Sequence, residues 1–190
     1  MPATFLKSYL KELSALFEQV NPGEFEEFIR ELAEIYNKGA QVFICGNGGS
    51  ASSASHLAAD LNKGVSFGRE KRFKMICLND SIPTMMAYAN DVSYADVFVE
   101  QLKNFMNKGD MVIGVSGSGN SENVLRAIRY GNDHDGRTFG ICGFGGGKLK
   151  GLAQRSLVIQ NNDMQKVEDL HMILFHCAMQ YFYKQDTGIK

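Results

Sequence analysis

Apolar positions recur along this chain in two rhythms. Over residues 3–20, Leu6, Leu10, Leu13, Leu16 and Phe17 return every three or four positions, the spacing of one helix face. Residues 23–37 repeat that pattern after the break Asn21-Pro22-Gly23. Short continuous apolar runs follow at 41–45, 74–79, 111–115, 138–142 and 156–160. Their length is that of strands. Helical patterns separate them at about 50–62, 83–88, 94–107 and 121–133, and a last helix covers about 164–184. Such alternation predicts a parallel sheet with helices on both faces, a three-layer α/β/α sandwich of five strands preceded by two N-terminal helices. The extra helical pair must bury its stripe, either on its own domain or in a bundle with a sister subunit.

Composition narrows the class. The chain has 190 residues, 44% hydrophobic and 22% charged, with a formal net charge of −1. One domain over 1–190, a core with an N-terminal helical extension, is the expectation at this length. The charge and the lack of a basic run argue against a nucleic-acid binder. No apolar stretch approaches ~20 residues, so no membrane span is expected. The start MPATFLKSYLKEL is amphipathic rather than a signal peptide, which points to a cytoplasmic protein. Of the four cysteines, Cys45, Cys77 and Cys142 fall in apolar runs. With Cys177 they show no metal-type pair spacing, and they read as buried thiols in a reducing compartment.

Two segments carry the chemistry. The run Val42–Cys45 is followed by Gly46, Asn47, Gly48, Gly49 and Ser50, then by an Ala/Ser-rich helical stretch. A strand, a glycine turn and a helix start make a phosphate seat, because the first amides of the helix are unpaired. Ser50 stands where an N-cap belongs. Alone, such a turn would serve any α/β domain, and it matches neither the Walker nor the dinucleotide spacing. The second segment follows Met111–Val115. Ser116, Gly117, Ser118, Gly119, Asn120 and Ser121 crowd one strand mouth ahead of a helix. Capping that helix needs only one hydroxyl, and the excess points to a ligand. Ligands in such sheets sit beyond the strands' carboxyl ends, so both turns can line one pocket.

GNGGS with His56 six residues on, and SGSGNS ahead of a helix, resemble the sugar-isomerase (SIS) family, and within it the phosphoheptose isomerases. The likeness spans nearly the whole chain, including Asn90-Asp91 and the two-histidine terminal helix. It implies a five-stranded SIS fold and a homotetramer in which neighbouring subunits complete each site. It also implies isomerisation of sedoheptulose 7-phosphate to D-glycero-D-manno-heptose 7-phosphate for nucleotide-activated heptose. Asn47, Gly48, Gly49, Ser50, Ser116, Gly117, Ser118 and Ser121 would hold the phosphate. Asn90, Asp91 and Glu168 would face the sugar. The Asn-Asp pair would equally serve as a helix cap.

The residue types suit the reaction. A ketose–aldose isomerase needs a base to take the proton beside the carbonyl and an acid to return one. His56 and Asp60 are four apart on one helix face. Glu168 and His176 are eight apart, about 80° around a helix. By resemblance, Asp60 stands for the family's catalytic glutamate and His176 for its catalytic histidine. His56, Asp60, Glu168 and His176 would also suit zinc, which some phosphoheptose isomerases carry there. Two departures stand out: the family usually has Glu at position 60 and Gln at position 168. Other SIS proteins are regulators, including one that binds a replication initiator protein. That reading, and an isomerase of another phosphosugar, are the alternatives.

Overall fold

The computed structural model describes residues 1–187; residues 188–190 of the expected 1–190 domain lie outside the described residues. Two leading helices, α1 (Pro2–Phe17) and α2 (Pro22–Lys38), precede five strands. The strands are β1 (Val42–Gly46), β2 (Met75–Cys77), β3 (Met111–Ser116), β4 (Arg137–Cys142) and β5 (Arg155–Val158). They form one wholly parallel sheet in the order β2-β1-β3-β4-β5. The connecting helices are α3 (Gly49–Ala59), α4 (Ile82–Asp91), α5 (Val99–Phe105), α6 (Glu122–Asp133) and α7 (Gly147–Leu152), and α8 (Met164–Thr187) closes the chain. The expected α/β/α architecture is what the chain forms.

Burial explains the layers. Every residue of β1 and β3 is buried, as expected for central strands covered on both faces. One core joins α2, α3 and α8 to one face of the sheet, through Phe28, Leu32, Leu57, Phe139 and Phe175. The other packs α5, α6 and α7 on the opposite face, through Phe98, Leu102, Val124, Ile128 and Leu149. Helix α2 is well specified locally: Asn21 caps its first turn by accepting from the Gly23 amide at 2.9 Å, and Gly39 ends it in the left-handed conformation. At its start Glu24 accepts from the Val158 amide at 2.8 Å, tying it to β5.

Helix α1 is held differently. Leu16 is its buried residue, and Leu13 packs partly against the core. The rest of its attachment is polar. Tyr9 donates to Asp169 of α8 at 2.6 Å, and Lys166 pairs with Glu12 at 2.7 Å. The Asp169 hydrogen bond, with burial adding to it, pushes the Tyr9 phenol up to about 12. Leu6, Leu10 and Phe17 stay exposed.

Several boundaries differ from the sequence pattern. The 94–107 helix is split into a 3₁₀ turn, Tyr94–Asp96, and α5. The 74–79 run gives only three strand residues, because Asn79 leaves the ladder and turns its side chain onto Gly46. The 50–62 helix widens at Asp60 into a π turn, Asp60–Val65. Helix α7 was not expected; six residues behind a glycine run show no period.

Phe28 is fully buried, with its ring 5.1 Å from Phe139 and 6.2 Å from Phe175. Phe28→Ala should cost about 3–5 kcal/mol in urea unfolding, with α2 loosened from the sheet.

Candidate active site

Strand order creates the site. β1 and β3 are neighbours, with Gly46 beside Val115. The chain leaves β1 for one edge of the sheet and leaves β3 for the other, so their carboxyl ends open a crevice. Both polar turns emptied from these strands therefore face each other. A cavity of about 180 Å³ lies between them, lined by Asn47, Ser50, Ser116, Gly117, Ser118, Ser121 and Glu168.

The first turn is built on glycine. Gly48 has φ of +54°, which L side chains rarely adopt. Gly48, not Ser50, caps α3; Ser50 is the second helical residue and is buried. Asn79 clamps the end of β1, accepting from the Gly46 amide at 3.1 Å and donating to its carbonyl at 2.8 Å. In the second turn the Ser116 hydroxyl accepts from the Gly119 amide at 3.2 Å and shares a 3.1 Å bond with Ser121. Ser121 occupies the N-cap position of α6, yet its hydroxyl bonds Ser116 rather than the helix.

A strap joins the two turns. Asn47 and Asn123 exchange two amide bonds, each 2.9 Å, across the crevice. Tyr94 adds a third bond, donating to the side-chain oxygen Oδ1 of Asn47 at 2.7 Å. The Asp96–Arg126 pair at 2.7 Å holds the Tyr94 turn against α6. Asn123, Asn79 and Tyr94 were missed in the sequence, because their partners lie 76, 33 and 47 residues away. One signal existed: Asn123 falls on the apolar side of α6, where an amide must find a partner.

Further along α3 stands a second cluster. His56 and Asp60 face His176 of α8. The Asp60 Oδ2 lies 3.5 Å from His56 Nε2 and 4.0 Å from His176 Nε2, and the two Nε2 atoms are 2.9 Å apart. Two neutral imidazoles cannot point lone pairs at each other at that distance. One must donate a proton to the other, or both must face a cation. Two nitrogens and a carboxylate oxygen within 4.8 Å of one another fit a zinc ion with an open position. Glu168 does not join these three. Its carboxylate lies against Gly49, in the cavity, where a Cβ on residue 49 would overlap it. Asn90 and Asp91 do not line the cavity either. They end α4 exposed, Asn90 donating to Asp91 at 2.7 Å.

His171, one turn beyond Glu168, is 1% exposed. Its Nε2 bonds the Cys142 carbonyl at 3.0 Å, docking α8 on β4, while Nδ1 has no partner among the described residues. Burial pushes its pKa down to about 4, against a smaller upward pull from that hydrogen bond. Burial also raises the thiols of Cys77 and Cys142 to about 12 and that of Cys45 further. These three are protonated core residues, as expected, whereas Cys177 is exposed.

The comparisons agree with this geometry. The SIS domain family matches residues 8–143. A phosphoheptose isomerase of Helicobacter pylori is 36% identical over 80% of this chain and 78% of its own length. That of Aliarcobacter butzleri is 31% identical over 95% of this chain and 96% of its own. The structure of a phosphoheptose isomerase from Francisella tularensis superposes with a TM-score of 0.89 at 20% identity, covering 97% of this chain and 99% of that one. The chain therefore belongs to the SIS domain family and, within it, to the phosphoheptose isomerases.

Two outcomes follow from the strap and from His171. Asn123→Ala leaves Asn47 without its pair, and should cost about 1–3 kcal/mol of stability. It should raise KM for a phosphosugar about tenfold while changing kcat less, as steady-state kinetics will show. His171 takes up a proton near 6.5 when unfolded but only near 4 when folded. Stability should therefore fall as pH drops from about 6.5 to about 4, by on the order of 3 kcal/mol. His171→Gln should remove this part of the slope in urea titrations across that range.

Proposed function

We propose that the chain is a ketose–aldose isomerase that converts sedoheptulose 7-phosphate to D-glycero-D-manno-heptose 7-phosphate through an enediol. The convergence of His56, Asp60 and His176 two helical turns from a phosphate seat carries this reading. The span suits the substrate. Gly49 to His56 is seven residues of helix, about 10 Å of rise. An extended chain advances about 1.2 Å per bond, so the eight bonds from C1 of a heptulose to a phosphorus at O7 also span about 10 Å. A phosphate on the serine turns thus brings C1 and C2 to the carboxylate.

The steps use few groups. The phosphate rests on the α3 and α6 amino ends and on the hydroxyls of Ser116, Ser118 and Ser121. Asp60 Oδ2 faces the imidazoles, while Oδ1 has no bond among the described residues. Oδ1 takes the proton from C1, giving the enediol, and returns it to C2. His176 moves the second proton from the C1 hydroxyl to the C2 oxygen, which leaves an aldehyde at C1. His56, Asp60 and His176 would hold a zinc ion, and such an ion would polarise the carbonyl oxygen.

Finer features belong to the same reading. The exposed Phe5, Leu6, Leu10 and Phe17 of α1 favour a homotetramer with composite sites, burying an apolar face that water would otherwise cover. The triad is about half exposed at both histidines, which suits completion by a neighbour. No helix among the described residues is long and apolar enough to cross a membrane. A single cytoplasmic domain that feeds nucleotide-activated heptose into surface polysaccharide completes the reading, and the three buried thiols suit a reducing compartment. Asn90 and Asp91 would contribute to the sugar site from their exposed position.

Asp60→Asn keeps shape but cannot accept the proton, and should lower turnover of sedoheptulose 7-phosphate about 10²–10⁴-fold with binding retained. Asp60→Glu should hold or raise it. Metal content is to be measured on each variant, and full turnover by metal-replete Asp60→Asn would remove Asp60 as the base.

A further inference from the structure

Glu168 is an anion in a seat built for anions. Its carboxylate rests against Gly49 at the amino end of α3 and lines the cavity with Asn47, Ser50, Ser116, Ser118 and Ser121. None of the cavity's lining residues is Lys or Arg. Among the described residues the carboxylate accepts no hydrogen bond and forms no ion pair. What favours it there is the partial positive charge at the start of an eleven-residue helix. The same helix end is where a phosphoryl group would rest, so this inference builds on the phosphate seat of the proposed function.

Two anions cannot share that end without a cation between them, and the repulsion at contact distance is large in a partly dry cleft. The phosphoryl group has the better claim. It can accept from several hydroxyls and amides at once, which the Glu168 carboxylate does not. Glu168 is only half buried and has no bonds to break, so its side chain can swing away. We propose that Glu168 is a displaceable resident anion of the phosphate seat, which weakens the binding of every phosphoryl ligand, sugar ester and inorganic phosphate alike. The repulsion sets the same threshold for every phosphoryl group. A sugar ester still binds more tightly than inorganic phosphate, through contacts along its carbon chain, and Glu168 leaves the ratio of the two affinities unchanged. A neutral amide at this position would seat both.

The test is titration of inorganic phosphate into the full-length protein by calorimetry, with metal content matched between samples. Glu168→Gln should bind inorganic phosphate at least about tenfold more tightly than the wild type, since the charge repulsion is removed and the shape is kept. Glu168→Ala should also bind more tightly, and it stands in if the Gln variant does not fold. In steady-state assays, the inhibition constant of inorganic phosphate and KM for sedoheptulose 7-phosphate should both fall in Glu168→Gln, by comparable factors. Equal or weaker phosphate binding by both variants overturns the proposal. Tighter phosphate binding without turnover of sedoheptulose 7-phosphate by the wild type leaves it standing and refutes the assigned substrate. Turnover with unchanged phosphate affinity does the reverse.

Discussion

The pairing of β1 with β3 organises this molecule. They pair in parallel register from Val42 beside Met111 to Gly46 beside Val115, and every residue of both is buried. Because β2 is placed outside β1, the chain must leave the two central strands in opposite directions. The gap between their carboxyl ends is closed by the turns that follow them and by Met164 and Glu168 of α8. Those turns are polar and glycine-rich because the backbone there has no ladder to join. The serine-lined cavity, the Asn47–Asn123 strap and the direction of α3 all follow from that divergence.

Once α3 is aimed by the first turn, the cluster of His56, Asp60 and His176 is a matter of helical period. His56 and Asp60 lie one turn apart on α3, and α8 runs alongside to bring His176 to them. The position of α8 is set by its own buried face and by His171, which reaches β4 through the Cys142 carbonyl. The π turn that begins at Asp60 keeps the cluster from being followed by regular helix. Its exit is fixed by Asn62, which donates to the Met75 carbonyl at 2.7 Å and accepts from its amide at 3.0 Å. Edge strand β2 is thereby tied to the turn that follows the His56–Asp60–His176 cluster through one side chain.

The central strands, the two leading helices and both polar turns were legible in the sequence, because each has a local signature: a continuous apolar run, a stripe, or a glycine cluster ahead of a helix. The triad members His56, Asp60 and His176 were legible through the family likeness. What was hidden depends on distance along the chain. Asn79, Asn123 and Tyr94 look like ordinary polar residues until the fold brings their partners near. Glu168 sits on the right helix, but its rotamer takes it to Gly49 and not to the histidines, and helical spacing carries no rotamer. Helix α1 was expected to bury its stripe; within one subunit it is fastened mainly by polar contacts instead.

The opposite end of the sheet has a different character. There Asp110 accepts from the amides of Gln41 and Asn107, each at 2.8 Å, closing the starts of β1 and β3 with one carboxylate. The neighbouring turn around Asp135 is exposed and is held by the surface pair Lys108–Asp135 at 3.0 Å. None of the cavity or cluster residues lies on this side. For protein engineering the molecule therefore has a working end and a handling end. A fluorophore, a surface tether or an inserted peptide attached near Asp135 would sit a full strand length from the crevice, leaving its mouth clear.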